Sequence, residues 1–430
     1  MQAVSTDKQY DAVIVGAGPA GSTLAMRLAK AGRRVLIAEQ ASFPRYHIGE
    51  SLTGQCAETL EELGLGDYMG GGRYPVKHGV TVHGQKERSK FWVPVQRRDD
   101  NGDPLVRTTW QVRRKEFDAK LLETAIARGA HFIHGTAKKI LGSPEKPDGV
   151  KVIDQTGAAH NFRAHIVVDA SGQGAFLGRQ QVLGPISDAG YEKQIAIFAH
   201  VTGLLLDPEP NHGNTHILYG KSFHWSWVIP QDDSVTSLGI VIPNAVYKAS
   251  GLGKRDFFLK YLSELNPELS RRVADIEIVS PVRAISNYSY RYPQSAGPGF
   301  LAIGDAQGFL DPIFSFGVTI ALKEAHIAAS EIETYLDSGG EYGFENYLLK
   351  VKQAREIVQL IIDTFWQYPL AFLRLAHYSH KQDIAELFYG RFYEESTLEL
   401  EAVKLMRELV GKKTTAKPIK NSARGPSFKK

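Results

Sequence analysis

The order of apolar and polar positions near the start of the chain predicts a strand–turn–helix–strand unit. The apolar run at 12–15 is typical of a buried strand, and residues 16–21 form a glycine-rich turn. Apolar spacing over 22–31 predicts a helix, and Gly32 follows it as a stop signal. Residues 35–39 then read as a second buried strand, so the chain opens with a βαβ-like pattern.

The pattern changes twice more along the chain. Short strands separated by charged turns are predicted from 74 to 110, a helix at 111–127 and a core strand at 166–170. Further strands follow from 194 to 285, interrupted by one helix near 256–264. We therefore expect an α/β fold with α+β insertions, divided into a discontinuous Rossmann-type nucleotide-binding domain (10–73, 111–180 and 286–336), an interleaved β-sheet substrate domain (74–110 and 181–285), a C-terminal helical region (337–410) and a basic tail (411–430).

Charge and composition exclude several classes of protein. The net charge of +4 is misleading, because residues 411–430 carry seven basic side chains and no acidic one. This tail is predicted to be disordered, and no aromatic-interleaved basic pattern indicates nucleic-acid binding. Cys56 is the only cysteine, which rules out an intrachain disulfide and a multi-cysteine metal site. No signal peptide and no apolar run of about 18 residues is found, so we expect a cytoplasmic protein without a membrane span.

The glycine turn predicts a dinucleotide site. Gly16, Gly18 and Gly21 fit the G-x-G-x-x-G pattern, whose glycines allow a tight turn and close approach of a pyrophosphate. Glu39 ends the second strand, where a carboxylate accepts hydrogen bonds from ribose hydroxyls. Ala20, in the same turn, is assigned to the cofactor site with them.

Several distant segments favour FAD over NAD as the dinucleotide. They resemble the second half of a flavin site, and no second G-x-G-x-x-G follows a strand. We therefore expect reduced FAD to be supplied from outside, by a flavin reductase or a transient nicotinamide. The cofactor-site residues predicted from these segments are Arg45, Ser51, Arg114, Asp305 and Gly308.

The segment 309–317 predicts an anion site beside the flavin. It leads directly into a helical pattern at 318–336, and a helix N-terminus presents unpaired amides and positive potential. Ser315, Phe316 and Gly317 are the expected halide-binding residues. An anion held there beside the flavin makes halide a candidate reactant.

Taken in order, these segments resemble the p-hydroxybenzoate-hydroxylase-type FAD superfamily and, within it, the flavin-dependent halogenases, over about residues 10–400. The most specific element is residues 225–230, which match the halogenase motif W-x-W-x-I-P in full. Trp225 and Trp227 lie two apart on a predicted strand, so their indoles face the same side. The resemblance implies that they form a barrier between flavin and substrate.

The resemblance also implies that Lys77 is the catalytic lysine. Reduced FAD and O2 would convert chloride or bromide to hypohalous acid, which then reaches Lys77. The ammonium would polarise this acid by a hydrogen bond, or the free amine would form a chloramine; the second route requires a lowered pKa. No resident metal is implied.

The expected substrate is a small, electron-rich aromatic compound. In the family's free-tryptophan branch a glutamate precedes the halide-loop serine, whereas Phe314 occupies that position here. A phenyl ring cannot exchange a proton, so the substrate should be intrinsically activated, a phenol or a pyrrole. The shorter C-terminal part, with a helix expected at 383–393, resembles halogenases whose substrates are bound to an acyl or peptidyl carrier protein. Such enzymes belong to secondary metabolism, including antibiotic biosynthesis.

Two alternatives remain at this stage. The first is an FAD-dependent aromatic monooxygenase or a geranylgeranyl-reductase-like oxidoreductase, which would need the glycine motif but neither the tryptophan pair nor Lys77. The second is a non-catalytic flavin-binding sensor, which would show no turnover.

Overall fold

The computed structural model describes residues 9–86, 89–188, 193–221, 223–286 and 289–414. Its strands are β1 Tyr10–Val15, β2 Val35–Glu39, β3 Val76–Lys77, β4 Gly79–His83, β5 Phe91–Pro94, β6 Gln96–Arg98, β7 Pro104–Val106, β8 Thr109–Trp110, β9 His131–Ser143, β10 Lys146–Asp154, β11 Ala159–Asp169, β12 Gln194–Thr202, β13 Thr215–Tyr219, β14 Trp225–Pro230, β15 Thr236–Pro243, β16 Glu277–Ile278, β17 Arg283–Ser286, β18 Tyr290–Arg291, β19 Ala296–Gly297, β20 Phe300–Ala302 and β21 Gly308–Phe309. Its helices are α1 Pro19–Lys30, α2 Gly54–Glu62, α3 Gly66–Gly70, α4 Arg114–Ala127, α5 Phe176–Arg179, α6 Asn244–Ser250, α7 Lys254–Glu264, α8 Pro267–Arg272, α9 Gly317–Asp337, α10 Glu345–Gln367, α11 Pro369–Arg374, α12 Lys381–Tyr389 and α13 Glu401–Thr414.

The first sheet has a parallel core. β9, β2, β1, β11 and β20 lie side by side in that order, and all four of these pairings are parallel. β10 pairs antiparallel with both β9 and β11, and β19 pairs antiparallel with β20. All residues of β2 are buried, as expected for a parallel strand covered on both faces. The carboxyl ends of β1, β2 and β11 therefore meet at one edge, where ligands of such sheets bind.

The second sheet is built from two separate stretches of chain. Its strand order is β16-β12-β15-β14-β13-β4-β5, with β17 also beside β12. The contact between the two stretches is the parallel pair β4 and β13. This sheet and the first share one large hydrophobic core, which also includes side chains of the C-terminal helices α10 to α13.

Several element boundaries differ from the expectations. α1 begins at Pro19 rather than at 22, because proline lacks the N–H that the first helical residue leaves unpaired. α4 begins at Arg114 rather than at 111, since the preceding residues continue β8 and its connection. Three helices, α6 to α8, lie where one was expected, and the β9–β10 hairpin was not anticipated.

The C-terminal part is helical as expected, with two changes. α12 ends at Tyr389 instead of 393, because Gly390 adopts a φ of +107° and turns the chain out of the helix. α13 extends to Thr414, past the predicted start of the tail at 411. The remaining tail, 415–430, lies outside the described residues. Every helix of the described part is too short or too polar to cross a bilayer.

Candidate active site

The glycine turn after β1 is shaped by contacts that exclude side chains. Gly16 has a φ of +107°, and a Cβ there would lie 2.4 Å from the carbonyl oxygen of Ala170. A Cβ on Gly21 would lie 2.0 Å from the carbonyl oxygen of Gly16. Around Gly18 the nearest atom belongs to the Arg45 guanidinium at 3.6 Å. The first two glycines therefore close the turn, while Gly18 leaves room for a ligand beside the N-terminus of α1.

Glu39 is fixed at the end of β2 by backbone amides. Its two carboxylate oxygens each accept one hydrogen bond, from the amides of Ala17 and Ala41, both at 2.8 Å. A carboxylate oxygen has lone pairs beyond one bond, so Glu39 retains acceptor capacity toward a ribose hydroxyl.

Arg114 and Arg45 share the buried carboxylate of Asp118. Arg114 binds it with two hydrogen bonds of 2.7 and 2.9 Å, and its remaining amino group donates to the carbonyls of Ile48 and Gly49. Arg45 lies 3.2 Å from the same carboxylate. Arg114 thus anchors the segment before Ser51, and Arg45 is less engaged by protein groups.

Gly304 and Asp305 follow β20 at the same sheet edge. The amide of Gly304 donates to Glu324 at 2.6 Å, and Gly304 has a φ of +62°. Burial raises the pKa of the Asp305 carboxyl to about 7, against the opposing effect of Arg355 and Arg114. A Cβ on Gly308 would lie 2.9 Å from the carbonyl oxygen of Tyr290, so that glycine serves close strand packing.

These features surround one cavity of about 460 Å³. Of the residues predicted from the sequence, it is lined by Gly16, Gly18, Ala20, Glu39, Arg45, Ser51, Arg114, Trp225, Trp227, Asp305, Ser315 and Gly317. Gly21, Lys77, Gly308 and Phe316 do not line it. The glycine cradle, the carboxylate of Glu39 and the free space at Gly18 fit a dinucleotide such as FAD.

Trp225 and Trp227 lie side by side on β14. Their ring centroids are 5.8 Å apart with the planes tilted by 49°. The Trp227 indole N–H donates to the Ser237 hydroxyl at 3.2 Å. On the neighbouring strand, a Cβ at Gly239 would lie 2.2 Å from the Trp227 ring, so only glycine leaves space for this indole. Trp227 is therefore held in place by Ser237 and the space at Gly239, and Trp225 packs against it in the cavity wall.

The loop before α9 presents backbone amides to the cavity. Ser315 has a φ of +61°, and its amide donates to the carbonyl of Pro312 at 2.9 Å. α9 then starts at Gly317, and no side chain caps its first turn. A Cβ on Gly317 would meet no atom within 4 Å. Free amides, helix dipole and open space coincide here, as an anion site requires.

Lys77 lies on β3 and does not line the cavity, but it contacts Ser51, which does. Its side chain is 2% exposed, and its ammonium donates to the Ser51 hydroxyl and to the carbonyl of Leu52, both at 2.8 Å. Burial lowers the pKa of Lys77 to about 7. Ser51 itself lines the cavity, so this one hydroxyl touches both the cavity and the lysine.

Phe314 is packed among aromatic rings of the C-terminal helices. Its ring stacks on Phe372 at 6.0 Å and contacts Phe365 at 5.3 Å and Phe388 at 4.9 Å. The position before Ser315 therefore presents a phenyl ring and no carboxylate.

Sequence reasoning missed the residues that support Lys77 and the cavity edge. Thr215 bonds the Ser51 hydroxyl at 2.8 Å and accepts a hydrogen bond from Gln111. Glu50 lines the cavity and bonds His200 at 2.9 Å. Thr215 and His200 lie inside strands, whereas Glu50 and Gln111 lie in connections, and no local sequence signal says which of these segments become neighbours. Within the described ranges, no group of three or more His, Cys, Asp or Glu is placed to hold a metal ion.

Known proteins resemble this chain over most of its length. A family model described as FAD binding domain matches residues 9–360. The chain is 37% identical to the 1H-pyrrole-2-carbonyl-(peptidyl-carrier protein) brominase of Pseudoalteromonas luteoviolacea, over 86% of this chain and 88% of the relative. It is 29% identical to the corresponding chlorinase of Pseudomonas fluorescens, over 94% of each. The solved structure of the flavin-dependent brominase Bmp2 has a TM-score of 0.87 at 34% identity and covers 95% of this chain and 99% of its own.

Proposed function

The chain belongs to the FAD-binding domain family and, within it, to the flavin-dependent halogenases, and from this premise we propose that it halogenates a pyrrole-2-carbonyl group bound to a peptidyl carrier protein. FAD is its cofactor and a halide its co-substrate. Two relatives that align with most of the chain are named for this substrate. One is a brominase and the other a chlorinase, so the proposal covers both halides.

The position of Lys77 is the observation that carries the proposal. Burying a lysine ammonium costs free energy and so favours the neutral amine, and here burial brings the pKa to about 7. At neutral pH the side chain is therefore available both as ammonium and as amine. Its hydrogen bond to Ser51 connects it to the cavity lining. In the proposed reaction Lys77 holds hypohalous acid, or its chloramine, next to the aromatic ring.

Phe314 supports an intrinsically reactive ring as the substrate. Rings of four phenylalanines surround this position, so no side chain there can accept the proton that leaves the ring. A pyrrole is electron-rich enough to react without such a base. The same apolar surroundings favour a flat aromatic group over a charged amino acid.

The cavity residues supply the cofactor site. The turn at Gly16–Gly18 and the start of α1 would hold the pyrophosphate, Glu39 the ribose, and Asp305 the flavin end. Bound and reduced FAD supplies the reaction with O2 that converts halide to hypohalous acid. The amides at Phe316 and Gly317 would hold the halide, and the tryptophan pair would keep the pyrrole away from the flavin.

Reduced FAD is proposed to come from a separate flavin reductase. The cavity around the glycine turn accounts for one dinucleotide, and the sequence has no second G-x-G-x-x-G after a strand. Adding a reductase with NADH should therefore restore turnover when the protein is supplied with oxidised FAD.

Mass spectrometry of the carrier protein tests the proposal. The protein is incubated with reduced FAD, O2 and either bromide or chloride, together with pyrrolyl-loaded carrier protein. We expect the mass shift and isotope pattern of a halogenated pyrrole. A carrier-bound phenol offered in parallel should stay unmodified. Halogenation of the phenol without the pyrrole would contradict the substrate assignment, and oxygenation without halogenation would contradict the reaction.

A further inference from the structure

One exposed helical face near the active site has an unusual composition. We call the exposed residues Leu370, Arg374, His377, Tyr378 and Lys381 the 370–381 face. Leu370 is 80% exposed and Tyr378 72%. The three basic side chains are exposed as well. They follow one another at spacings of one to four residues along α11, the helical turns at 375–379 and the first residue of α12.

The charge of this face is of one sign. No Asp or Glu occurs from 364 to 382. Within the described residues, neither Arg374 nor Lys381 takes part in a salt bridge, although most arginines of the chain do. Exposed Leu370 and Tyr378 between cations without a salt-bridge partner combine apolar contact area with positive charge, a combination that protein-binding surfaces use.

The inner side of the same helix touches the active site. Phe372, between Leu370 and Arg374, stacks on Phe314 of the halide loop at 6.0 Å. It also contacts Phe91 of β5 at 6.0 Å. The next residue, Trp92, is 38% exposed and covers Gly79, two positions after Lys77. The 370–381 face is therefore backed by the aromatic cluster around Phe314, and Phe372 connects it to β5, which pairs with β4, the strand that follows Lys77.

We propose that the 370–381 face is the docking surface for the carrier protein, an inference that rests on the function proposed above. The substrate arrives on a phosphopantetheine arm, so the carrier protein necessarily brings a phosphodiester anion to the surface that it binds. Arg374 and Lys381 provide the complementary charge, and Arg374 matches a phosphate with two parallel hydrogen bonds. Leu370 and Tyr378 supply the apolar contact that a transient interface needs.

Other occupants fit this surface less well. A second copy of the chain would bring the same cations toward one another across a symmetric interface. A membrane would require a larger apolar area than two exposed side chains give. A carrier protein with acidic side chains around its arm meets both the charge and the size of the face.

Charge reversal tests the proposal. The variant Arg374→Glu/Lys381→Glu is compared with the control Lys139→Glu/Lys151→Glu, two exposed lysines opposite each other on β9 and β10. For the loaded carrier protein we expect KM of the first variant to rise about tenfold, and the increase to shrink at high salt. For pyrrolyl-pantetheine, which lacks the protein, KM and kcat should equal those of the wild type. Tyr378→Ser should raise KM for the carrier protein alone.

The outcomes separate this inference from the proposed function. If the wild type halogenates the carrier-bound pyrrole and both double variants keep the same KM, the docking surface is elsewhere and the function stands. If the wild type halogenates neither form of the pyrrole, the function is wrong and the inference falls with it. A concentration-dependent dimer that only the Arg374→Glu/Lys381→Glu variant loses, with KM unchanged, would assign the face to self-association instead.

Discussion

The Ser51 hydroxyl connects the cavity that would hold FAD with Lys77. Ser51 accepts a hydrogen bond from the lysine and bonds Thr215 on β13. A hydroxyl can take part in several hydrogen bonds at once, so Thr215 and Lys77 together fix the position of the Ser51 hydroxyl. The geometry at Lys77 therefore depends on a strand of the second sheet.

Replacing Lys77 by methionine should remove product formation without emptying the cofactor site. Met keeps the length and apolar stem but has no donor or amine, and loss of such a group costs about 10²- to 10⁴-fold in rate. FAD content and oxidation of reduced FAD should match the wild type, because Lys77 does not line the cavity. Lys86→Met, on the exposed turn after β4, is the control. Halogenated pyrrole formed by Lys77→Met at the wild-type rate would contradict the assignment.

Thr215→Val should uncouple the formation of hypohalous acid from the halogenation of the pyrrole. The substitution keeps the shape of the side chain and removes the hydroxyl that orients Ser51. We expect the yield of halogenated pyrrole per hypohalous acid to fall about two- to tenfold, as for loss of the Ser51 hydrogen bond at about 1 kcal/mol. The Gln111 amide also loses Thr215 as an acceptor but keeps its hydrogen bond to the carbonyl of Gly213. Hypohalous acid that escapes from the protein is measured with a small dye that accepts the halogen. Thr81→Val on β4 serves as comparison, and equal yields in the two variants would exclude a role for Thr215.

In the turn between β1 and α1, one glycine is needed for the fold and another is predicted to be needed for ligand binding. At Gly16 a side chain would collide with the backbone of Ala170, so the turn itself requires glycine. At Gly18 the folded protein has space for a side chain, and the predicted pyrophosphate would need that space.

Gly18→Val should therefore give a folded protein without flavin. We expect its melting temperature to equal that of the wild-type apoprotein within about 2 °C, since no packed atom is displaced. The purified protein should be colourless and should not take up added FAD in a fluorescence titration. Gly16→Ala should instead lower the melting temperature. A yellow Gly18→Val protein would show that the pyrophosphate lies elsewhere.

For the molecule as a whole, a buried histidine pair between β4 and β13 makes stability depend on pH. Nε2 of His83 and Nδ1 of His216 are 3.1 Å apart. Burial lowers the pKa of His83 to about 4, and burial together with Arg272 lowers the pKa of His216 to about 3. Asp207 and Glu268, which pair with Arg272, face the same cluster. The folded state thus keeps both rings neutral at pH values where the unfolded chain protonates them.

Acidification should consequently weaken the fold through this pair. Below about pH 6.5 the unfolded state binds more protons, so the free energy of unfolding falls until about pH 4, by up to about 1.4 kcal/mol per pH unit for each histidine. Urea unfolding at pH 7.5 and 5 should show a smaller loss for His216→Gln than for the wild type. His165→Gln, at an exposed position of β11, should behave like the wild type. Identical pH dependence in all three proteins would exclude the pair as the cause.

The sequence predicted the elements whose signals are local. The glycine turn, the strand that ends at Glu39 and the tryptophan spacing on β14 each lie within a few residues, and the structure has a βαβ unit and a strand there. The FAD-dependent halogenase family followed from the same motifs and is confirmed by the relatives. The roles of the individual site residues stay predictions.

Contacts between distant segments were not predictable in this way. Ser51 and Thr215 are 164 positions apart. Thr215 pairs with β4 across the second sheet, while Ser51 forms a bridge with Gln111, whose side chain donates to Thr215. The burial of Lys77 also depends on contacts between distant segments. In the sequence, a lysine two positions from both a proline and a glycine resembles a residue of a surface loop. The helix expected near 256–264 is α7, whereas α6 and α8 were missed because they have only seven and six residues, too few for a clear apolar period.

The second sheet, assembled from two stretches of chain, limits how such proteins exchange parts. β4 and β5 precede α4, whereas β12 to β17 follow β11. Grafting only one stretch from a homologue would leave the parallel seam between β4 and β13 with mismatched partners. A chimera that acquires a new specificity must inherit both stretches together, and a breakpoint anywhere between β5 and β12 would separate them.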